Sequence, residues 1–230
     1  MPKSTKLKNR QNRSMGQIRR RAFPKLNVKE FKIFKKLDSP SRVQDLLDTL
    51  RINFEKGGET CRSPLMVLRT GEAHCMEGAM LAAAIFWYHG RQPLLMDLAT
   101  TNDDDGHALA LFKDGKRWGA VTKTNHAVLR YRDAVYASPQ ELAMSYFNEY
   151  FLDGGKKTMR EYSAPFDLSR LDPAWLTAEE DVWALDRAFL DSRHFKVTKP
   201  KAGLRRASNI EKRAGKLVEW GKDGRRIIRP

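Results

Sequence analysis

Cys75 and His107, a thiol and an imidazole that can do covalent chemistry together, stand at the starts of two separate elements. Cys75 lies in the stretch GEAHCMEGAMLAAAIFWYHG, where a polar entry precedes a long apolar run that ends at Gly90. The start of a helix stabilises negative charge, so a cysteine there favours the thiolate, which is the nucleophilic form. A neutral imidazole is the usual base for such a thiol. The pairing predicts nucleophilic attack on an amide carbonyl.

The other cysteine and histidines fit this chemistry less well. We expect the side chain of His74 to diverge from that of Cys75, because neighbours along a helix do not face each other. His89 lies at the far end of the same helix, roughly 20 Å away. A sheet packed on the helix can instead bring His107 over the thiol. Cys61 stands in a loop beside Arg62, where no helix supports a thiolate, and we interpret it as structural.

The elements that must position this pair predict an α+β fold. The run from Cys75 to His89 is apolar nearly all round, which is typical of a helix buried in the core. After it come QPLLMDLAT, HALALFK and KRWGAVTKT, three short runs with β character, the last two joined by the hairpin signal Asp114-Gly115. The sequence therefore predicts a buried helix on a small antiparallel sheet.

Capping signals predict further helices around this core. A serine at 39 or 41 beside Pro40 predicts a first helix, and Ser138 followed by Pro139 predicts another after the sheet. Thr177, with acids following it, predicts a helix that runs towards Phe195. The stretch CRSPLMVLRTGEA predicts an irregular approach to Cys75, and NVKEFKIFKKL predicts a short helix.

The order of these parts resembles the core of the transglutaminase-like superfamily, papain-like enzymes with a Cys, His, Asp triad. The resemblance covers about residues 40 to 136, and it implies Cys75 as nucleophile and His107 as base. The positions that match its motifs are Gly71, Cys75, Gly90, Gly106, His107, Ala108 and Trp118.

The third member of the triad departs from the family pattern. Where the family has an Asp after the Trp strand, this chain has Thr122, with Asn125 three residues on. Thr122 can accept a hydrogen bond from a ring N–H but carries no negative charge. Asn125 can orient an imidazole through its amide oxygen. The sequence leaves open a Cys75-His107-Asn125 triad, a Cys75-His107 pair alone, and an inactive relative. The acidic turn at residues 103 to 105 is a weaker source of charge.

Charge divides the chain into three parts. Residues 1 to 36 hold 13 Lys and Arg with one acid, and residues 196 to 230 hold 12 with three acids. We therefore predict a basic disordered tail over 1–37, a transglutaminase-like domain over 38–195 and a basic C-terminal extension over 196–230. The first 23 residues contain no apolar core of a signal peptide, and no membrane span is visible, which predicts a cytoplasmic protein. An organellar transit peptide is the alternative for the acid-free first 29 residues.

Two function classes follow from these patterns. The first is a cysteine-dependent hydrolase or acyltransferase that acts on a protein or peptide amide. The second is a catalytically inactive domain that binds nucleic acid or another polyanion non-specifically through its basic tails. We expect no cofactor and no metal, because two cysteines at 61 and 75 do not form a zinc-type pair.

Overall fold

The computed structural model describes residues 21–197 and 203–227. They form a mixed α+β structure with a seven-stranded sheet in which every strand pairing is antiparallel. The helices are α1 Pro40–Thr49, α2 Pro64–Thr70, α3 Cys75–Tyr88, α4 Pro139–Met144, α5 Trp183–Leu190 and α6 Asn209–Gly215, with 3₁₀ helices at Glu30–Lys36, Ala127–Leu129, Phe147–Glu149, Leu168–Arg170 and Pro173–Leu176. The strands are β1 Arg51–Ile52, β2 Glu72–Ala73, β3 Leu94–Ala99, β4 His107–Asp114, β5 Arg117–Val121, β6 Arg132–Tyr136, β7 Glu161–Ser163, β8 Phe166–Asp167 and β9 His194–Lys196.

The central helix α3 is buried, as predicted. Every residue from Met76 to Trp87 is buried. Gly90, with φ of +77°, follows the helix in the left-handed conformation that glycine favours. Because α3 is apolar on all sides, it packs against α1, α2 and the sheet together.

The sheet has the order β6-β5-β4-β3-β7-β9, with β8 pairing beside β7 on β3. The predicted antiparallel arrangement of β3, β4 and β5 is confirmed. The hairpin between β4 and β5 closes at the pair Asp114 and Arg117, with Gly115 at φ of +54°. Alternate residues of β4 face opposite sides: Ala108 and Ala110 pack towards α3, and Leu109 and Leu111 pack into a second core with α4. Both faces of the central strands are therefore covered.

Two of the predicted caps are confirmed. The Ser39 hydroxyl accepts a hydrogen bond from the Arg42 amide at 3.4 Å, and Pro40 is the first residue of α1. The Ser138 hydroxyl accepts from the Glu141 amide at 3.1 Å, although α4 ends after six residues.

The prediction of a helix starting at Thr177 is wrong. Thr177 ends a 3₁₀ helix, and α5 begins only at Trp183. The intervening chain is held by Cys61, whose amide donates to Asp181 Oδ1 at 2.9 Å and whose carbonyl accepts from the Val182 amide at 2.8 Å. These long-range bonds compete with helical pairing and delay the start of α5.

The stretch before Cys75 is also more regular than predicted. It contains α2, whose first turn is capped by the Ser63 hydroxyl, with the Met66 amide as donor at 3.2 Å. A serine followed by proline is the same signal that correctly located α1, so the local pattern was sufficient to find α2.

The folded region extends beyond the predicted limits of 38 and 195. Residues 1–20 of the predicted N-terminal tail lie outside the described residues, but Phe31 and Phe34 are buried in the main core. Within residues 203–227, α6 is followed by a segment in which Glu219 is buried against the domain. Apolar anchors at three-residue spacing explain why the basic segment before residue 37 is packed.

Candidate active site

Cys75 is the first residue of α3 and is half-buried. Its N–H is one of the amides at a helix start that have no intrahelical acceptor, since the first such bond runs from Gly78 N to His74 O at 2.9 Å. The thiol therefore lies in the positive field of the helix, with a free donor beside it.

His107, the first residue of β4, is buried and lies between Cys75 and Thr122. Its Nε2 is 2.7 Å from the Thr122 hydroxyl, and that hydroxyl is 3.4 Å from the Ala108 carbonyl oxygen. A hydroxyl that donates to Ala108 O must accept from His107 Nε2–H, and this fixes the ring tautomer. Nδ1 is then the nitrogen available to Cys75, with which His107 forms a side-chain hydrogen bond.

These contacts change the acidity of the thiol. Burial opposes ionisation of Cys75, but hydrogen bonds from His107 and His74, together with their positive charge, lower its pKa to about 5. The structure thus supports a thiolate at neutral pH.

His74 does not diverge from Cys75, contrary to the sequence-based expectation. It is the N-cap residue, with extended backbone (φ −92°, ψ −174°), so its ring turns back over the helix start. Its Nε2 donates to Thr60 O at 2.9 Å, and its Nδ1 is 3.3 Å from Met76 N. Burial opposes charge on His74, but the hydrogen bond to Cys75 and the nearby Glu77 raise its pKa to about 9.

Nδ1 of His74 also caps α3. In the form that carries no proton on this nitrogen, it accepts a hydrogen bond from the Met76 amide at 3.3 Å. The contact of His74 with Cys75 and the nearby Glu77 favour the charged imidazole beside the thiolate.

Glu77, which the sequence reasoning missed, supports this corner of the site. Its carboxylate is fully buried and accepts from the Thr60 hydroxyl at 2.8 Å, the Arg62 amide at 3.0 Å and the His74 amide at 3.1 Å. A buried carboxylate is tolerated when several donors satisfy it. An acid three residues after a cap residue is a capping-box signal, so the pattern was present in the sequence.

Asn125 is not brought to His107. Its Oδ1 accepts from the amides of Glu219 at 3.1 Å and Trp220 at 2.7 Å, and its Nδ2 donates to the Trp220 carbonyl at 2.8 Å. The amide is therefore fully used in holding the C-terminal segment. Of the two candidates for the third position, Thr122 is the one that faces the imidazole.

Gln44 of α1 fixes the backbone of Thr122. Its Oε1 accepts from the Thr122 amide and its Nε2 donates to the Thr122 carbonyl, each at 3.0 Å, inside the core. This pair of bonds fixes the backbone of Thr122 next to α1 and keeps the hydroxyl against His107. The signal in the sequence is a glutamine beside Val43 on the apolar face of α1.

In the acidic turn Asp103 is bound by a lysine, and a carboxylate of β3 lies near the thiol. Asp103 pairs with Lys156 at 2.7 Å, and hydrogen bonds from Lys156 and Thr101 lower its pKa to about 2. Asp97 of β3 is buried, with Oδ2 at 3.0 Å from His194 Nε2. Burial raises its pKa, the His194 contact opposes this, and the charge of Cys75 adds to the rise. Asp97 was not identified from the sequence.

Cys61 is buried among apolar residues of the main core. Burial, and then the charges of Asp186 and Glu77, raise the pKa of its thiol far above the ordinary value. The two cysteines therefore lie in opposite environments, and only Cys75 is poised to react.

One cleft borders His107, and a second lies next to the residues that bind Glu77. One, of about 260 Å³, is lined by His107, Thr124, Tyr150 and residues of α6. The other, of about 720 Å³, lies between the loop at 53–60 and Trp220 of the C-terminal segment. Both clefts have a wall from residues after 203, and in the first of them this segment lies opposite His107.

A comparison with protein-family models gives no match, and a comparison with the curated proteins gives none either. In the described part of the chain, no helix is both long and apolar enough to cross a bilayer. Across residues 21–197 and 203–227, no group of three or more His, Cys, Asp or Glu side chains is arranged to hold a metal ion.

Proposed function

We propose that this chain is a cysteine-dependent acyl-transfer enzyme with a papain-type, transglutaminase-like core, acting on amide bonds of a protein or peptide. The observation that carries the proposal is the Cys75-His107 contact at the start of α3. The far nitrogen of the ring is bound 2.7 Å away by Thr122. A thiolate, a base and an orienting group in series are the parts that nucleophilic catalysis requires.

The reaction proceeds in two halves. The Cys75 thiolate attacks the amide carbon, and the carbonyl oxygen takes the negative charge, which the Cys75 N–H stabilises. His107 gives its Nδ1 proton to the leaving amine as the C–N bond breaks, leaving a thioester. Water or a second amine then attacks the thioester, His107 takes its proton, and the thiolate is regenerated. Hydrolysis and transfer share every step except the identity of this second nucleophile.

Thr122 stands where the transglutaminase-like pattern has an aspartate. A hydroxyl fixes the ring orientation but does not balance the charge of an imidazolium as a carboxylate does. The thiolate itself supplies that balance in the resting pair, and Asp97 adds negative charge nearby. We therefore expect an enzyme in which acylation is supported and the later, charge-separated steps are slower.

The experiment is to trap the thioester. The full-length protein is incubated with a peptide library in which each peptide carries a chromogenic anilide, and intact mass is measured during the first turnover. A mass gain equal to the acyl group, located on Cys75 by peptide mapping, is the expected result. Cys61→Ala is the matched control and should acylate normally.

His107→Gln decides between a catalytic pair and an incidentally reactive thiol. We expect acylation of the variant to slow by at least about 100-fold, the usual contribution of a general acid–base group. An unchanged rate, or release of anilide by Cys75→Ser at the wild-type rate, contradicts the proposal.

An inactive domain is the second candidate, and the hydroxyl of Thr122 in place of a carboxylate favours it. Under that proposal Cys75 reacts with small alkylating agents but never forms a thioester with a peptide. Absence of both acylation and anilide release across the library, with Cys75 still alkylated, supports this candidate.

A further inference from the structure

The 3₁₀ helix Glu30–Lys36 separates apolar and basic side chains into different rows. With three residues per turn, side chains three positions apart lie one above another. One row, Phe31 and Phe34, is buried. The next row, one position further along the chain, is basic and exposed. It consists of Lys29, Lys32 and Lys35, and we call it the lysine row. With a rise of about 2.0 Å per residue, its members repeat roughly every 6 Å.

The lysine row has no counter-charge of its own. Within the described residues, none of its three lysines forms an ion pair, and the acids nearest in sequence have other partners. Glu30 is bound by Arg69 at 2.9 Å, and Asp38 is paired with Arg42 at 3.1 Å. A line of unpaired ammonium groups is a surface for a polyanion.

The row is held rigidly at the end of α3 away from Cys75. His89 Nε2 lies 2.7 Å from the Phe34 carbonyl oxygen, to which it donates, and the Phe34 and Tyr88 rings meet edge to face at 5.8 Å. Since α3 has 14 residues, the lysine row lies about 20 Å from the thiol. It is therefore separate from the catalytic pair.

An aromatic groove borders the same 3₁₀ helix, because the ring of Phe23 in its wall lies 6.4 Å from the rings of Phe31 and Phe34. It has a volume of about 480 Å³, and its wall includes Phe23, Tyr88, Arg21 and Arg91. Phe23 and Tyr88 are partly exposed, with ring centroids 5.5 Å apart. The Trp87 indole donates to the Arg21 carbonyl at 2.9 Å and fixes the start of the segment. Cations and partly exposed rings thus share one concave surface.

We propose that the lysine row and the aromatic groove together bind single-stranded nucleic acid. Phosphates lie along the lysines, and one or two bases enter the groove against Phe23 and Tyr88. Sequence-tolerant recognition of single strands uses this combination of a cationic track and stacking rings. A duplex satisfies only the first part, because its bases are already stacked.

The proposal is tested by fluorescence anisotropy with the full-length protein. The labelled probes are 20-nucleotide oligouridylate, 20-nucleotide oligothymidylate and a duplex, each measured across a range of salt concentrations. The row variant replaces Lys29, Lys32 and Lys35 by Gln. The matched control makes the same change at Lys116, Lys196 and Lys222, which are exposed elsewhere. Each phosphate contact contributes about 0.7 to the slope of log affinity against log salt on a single strand. We expect the row variant to flatten the slope by about 2 and the control to leave it unchanged.

Tyr88→Leu tests the groove. We expect roughly tenfold weaker binding of the single strands and unchanged binding of the duplex, because only a splayed base stacks on the ring. Tyr136→Leu, at a partly exposed tyrosine of β6, is the matched control and should bind as the wild type does. A preference for uridylate or for thymidylate supports the surface in either case and shows which of the two nucleotides it binds more tightly.

Three results overturn the proposal. The first is that the row variant and its lysine control lose binding equally. The second is that Tyr88→Leu leaves the affinity for single strands unchanged. The third is that the protein binds no oligonucleotide but binds phosphatidylserine vesicles through the lysine row. Cys75→Ser should bind the oligonucleotides normally, so the outcome is independent of the proposed acyl transfer.

Discussion

At the scale of single residues, the acceptor that faces His107 decides how the site is charged. Thr122 offers a hydroxyl that fixes the tautomer without adding charge, so the stabilisation of an imidazolium falls mainly on the thiolate. His74 then competes with His107 for the same sulfur. The protonation state of this group of three side chains follows from their contacts rather than from any one residue.

The first prediction concerns the acidity of Cys75. Because its pKa is lowered to about 5, the thiolate persists as pH falls through neutrality. We expect the rate of iodoacetamide labelling to be half-maximal near pH 5 and already level at neutral pH. Peptide mapping after a pH series measures it, with buried Cys61 as the internal control. A midpoint near 8.5, the ordinary value for cysteine, contradicts the contacts described here.

The second prediction ranks Thr122 above Asn125 in catalysis, although the sequence offers Asn125 as a possible third member of a triad. Thr122→Val keeps the shape of the side chain and removes one hydrogen bond to the ring. That bond is worth ~1.5 kcal/mol, so kcat/KM should fall about tenfold. Asn125→Ala should lower Tm and leave kcat/KM near the wild-type value, since its amide binds the backbone of Trp220. A larger catalytic loss in Asn125→Ala would sink this assignment.

At the scale of elements, the close approach of α3 to the chain after β5 keeps the thiol and the imidazole together. Gly78 lies one turn after Cys75, and a Cβ placed there would be 2.4 Å from Lys123 Cβ. The glycine is therefore required by the packing of two elements, although glycine is unfavourable within a helix.

The third prediction follows from this contact. Replacing a helical glycine by alanine ordinarily stabilises by ~1 kcal/mol, but here the added methyl overpacks the core. We expect Gly78→Ala to lower the free energy of unfolding by about 1–3 kcal/mol and to slow labelling of Cys75, because Thr122 shifts with Lys123. Urea denaturation measures the first effect. Ala82→Gly is the control within the same helix. It should lower the free energy of unfolding without changing the pH midpoint of Cys75 labelling.

How much could be predicted from sequence depends on whether each signal is local. The caps at Ser39 and Ser138 and the turn at Asp114-Gly115 were found because three or four adjacent residues determine them. The helix start at Thr177 was misplaced because bonds from Cys61, more than 100 residues earlier, hold the chain there. Local propensity carries no information about such a partner.

The same distinction applies to the site. Cys75 and His107 were identified because each begins an element with a clear local pattern. Gln44 was missed because its two bonds to Thr122 span 78 residues. Asn125 was suggested by spacing along the chain, but its partners come from the C-terminal segment.

At the scale of the whole molecule, a chain of polar contacts connects the C-terminal segment to the site. Glu219 accepts from Arg130 at 2.6 Å, Arg130 binds Asp48 at 2.7 Å, and Asp48 accepts from Gln44 at 2.9 Å. Gln44 in turn holds Thr122. The basic C-terminal segment is thus part of the structure that supports the imidazole.

The fourth prediction tests this chain at Glu219, which is buried and also pairs with Arg226. Breaking a buried pair leaves uncompensated charge, so Glu219→Gln should cost roughly 3 kcal/mol. Asp38→Asn removes a fully surface pair, 59% exposed on both sides, and should cost ~0–1 kcal/mol. Thermal and urea denaturation compare the two, and equal effects contradict the role of Glu219.

The pH dependence of this pair has a definite sign. Burial opposes the charge of Glu219, but Arg130 and Arg226 outweigh it and hold its pKa below the usual value. Its contribution is complete above the ordinary carboxyl pKa and is lost as pH falls through the lowered value. The difference in stability between wild type and Glu219→Gln should therefore shrink in acid.

The bonds of Asn125 also set an order of events during synthesis. Translation adds residues from the N-terminus, and Trp220 is made 95 residues after Asn125. A nascent chain therefore exposes Asn125 and Arg130 before Glu219 and Trp220 have left the ribosome. Until they do, the amide of Asn125 and the guanidinium of Arg130 lack their final partners. The residues of the reactive pair are made first, and the residues that complete its supporting contacts are made roughly 90 positions after the side chains they bind.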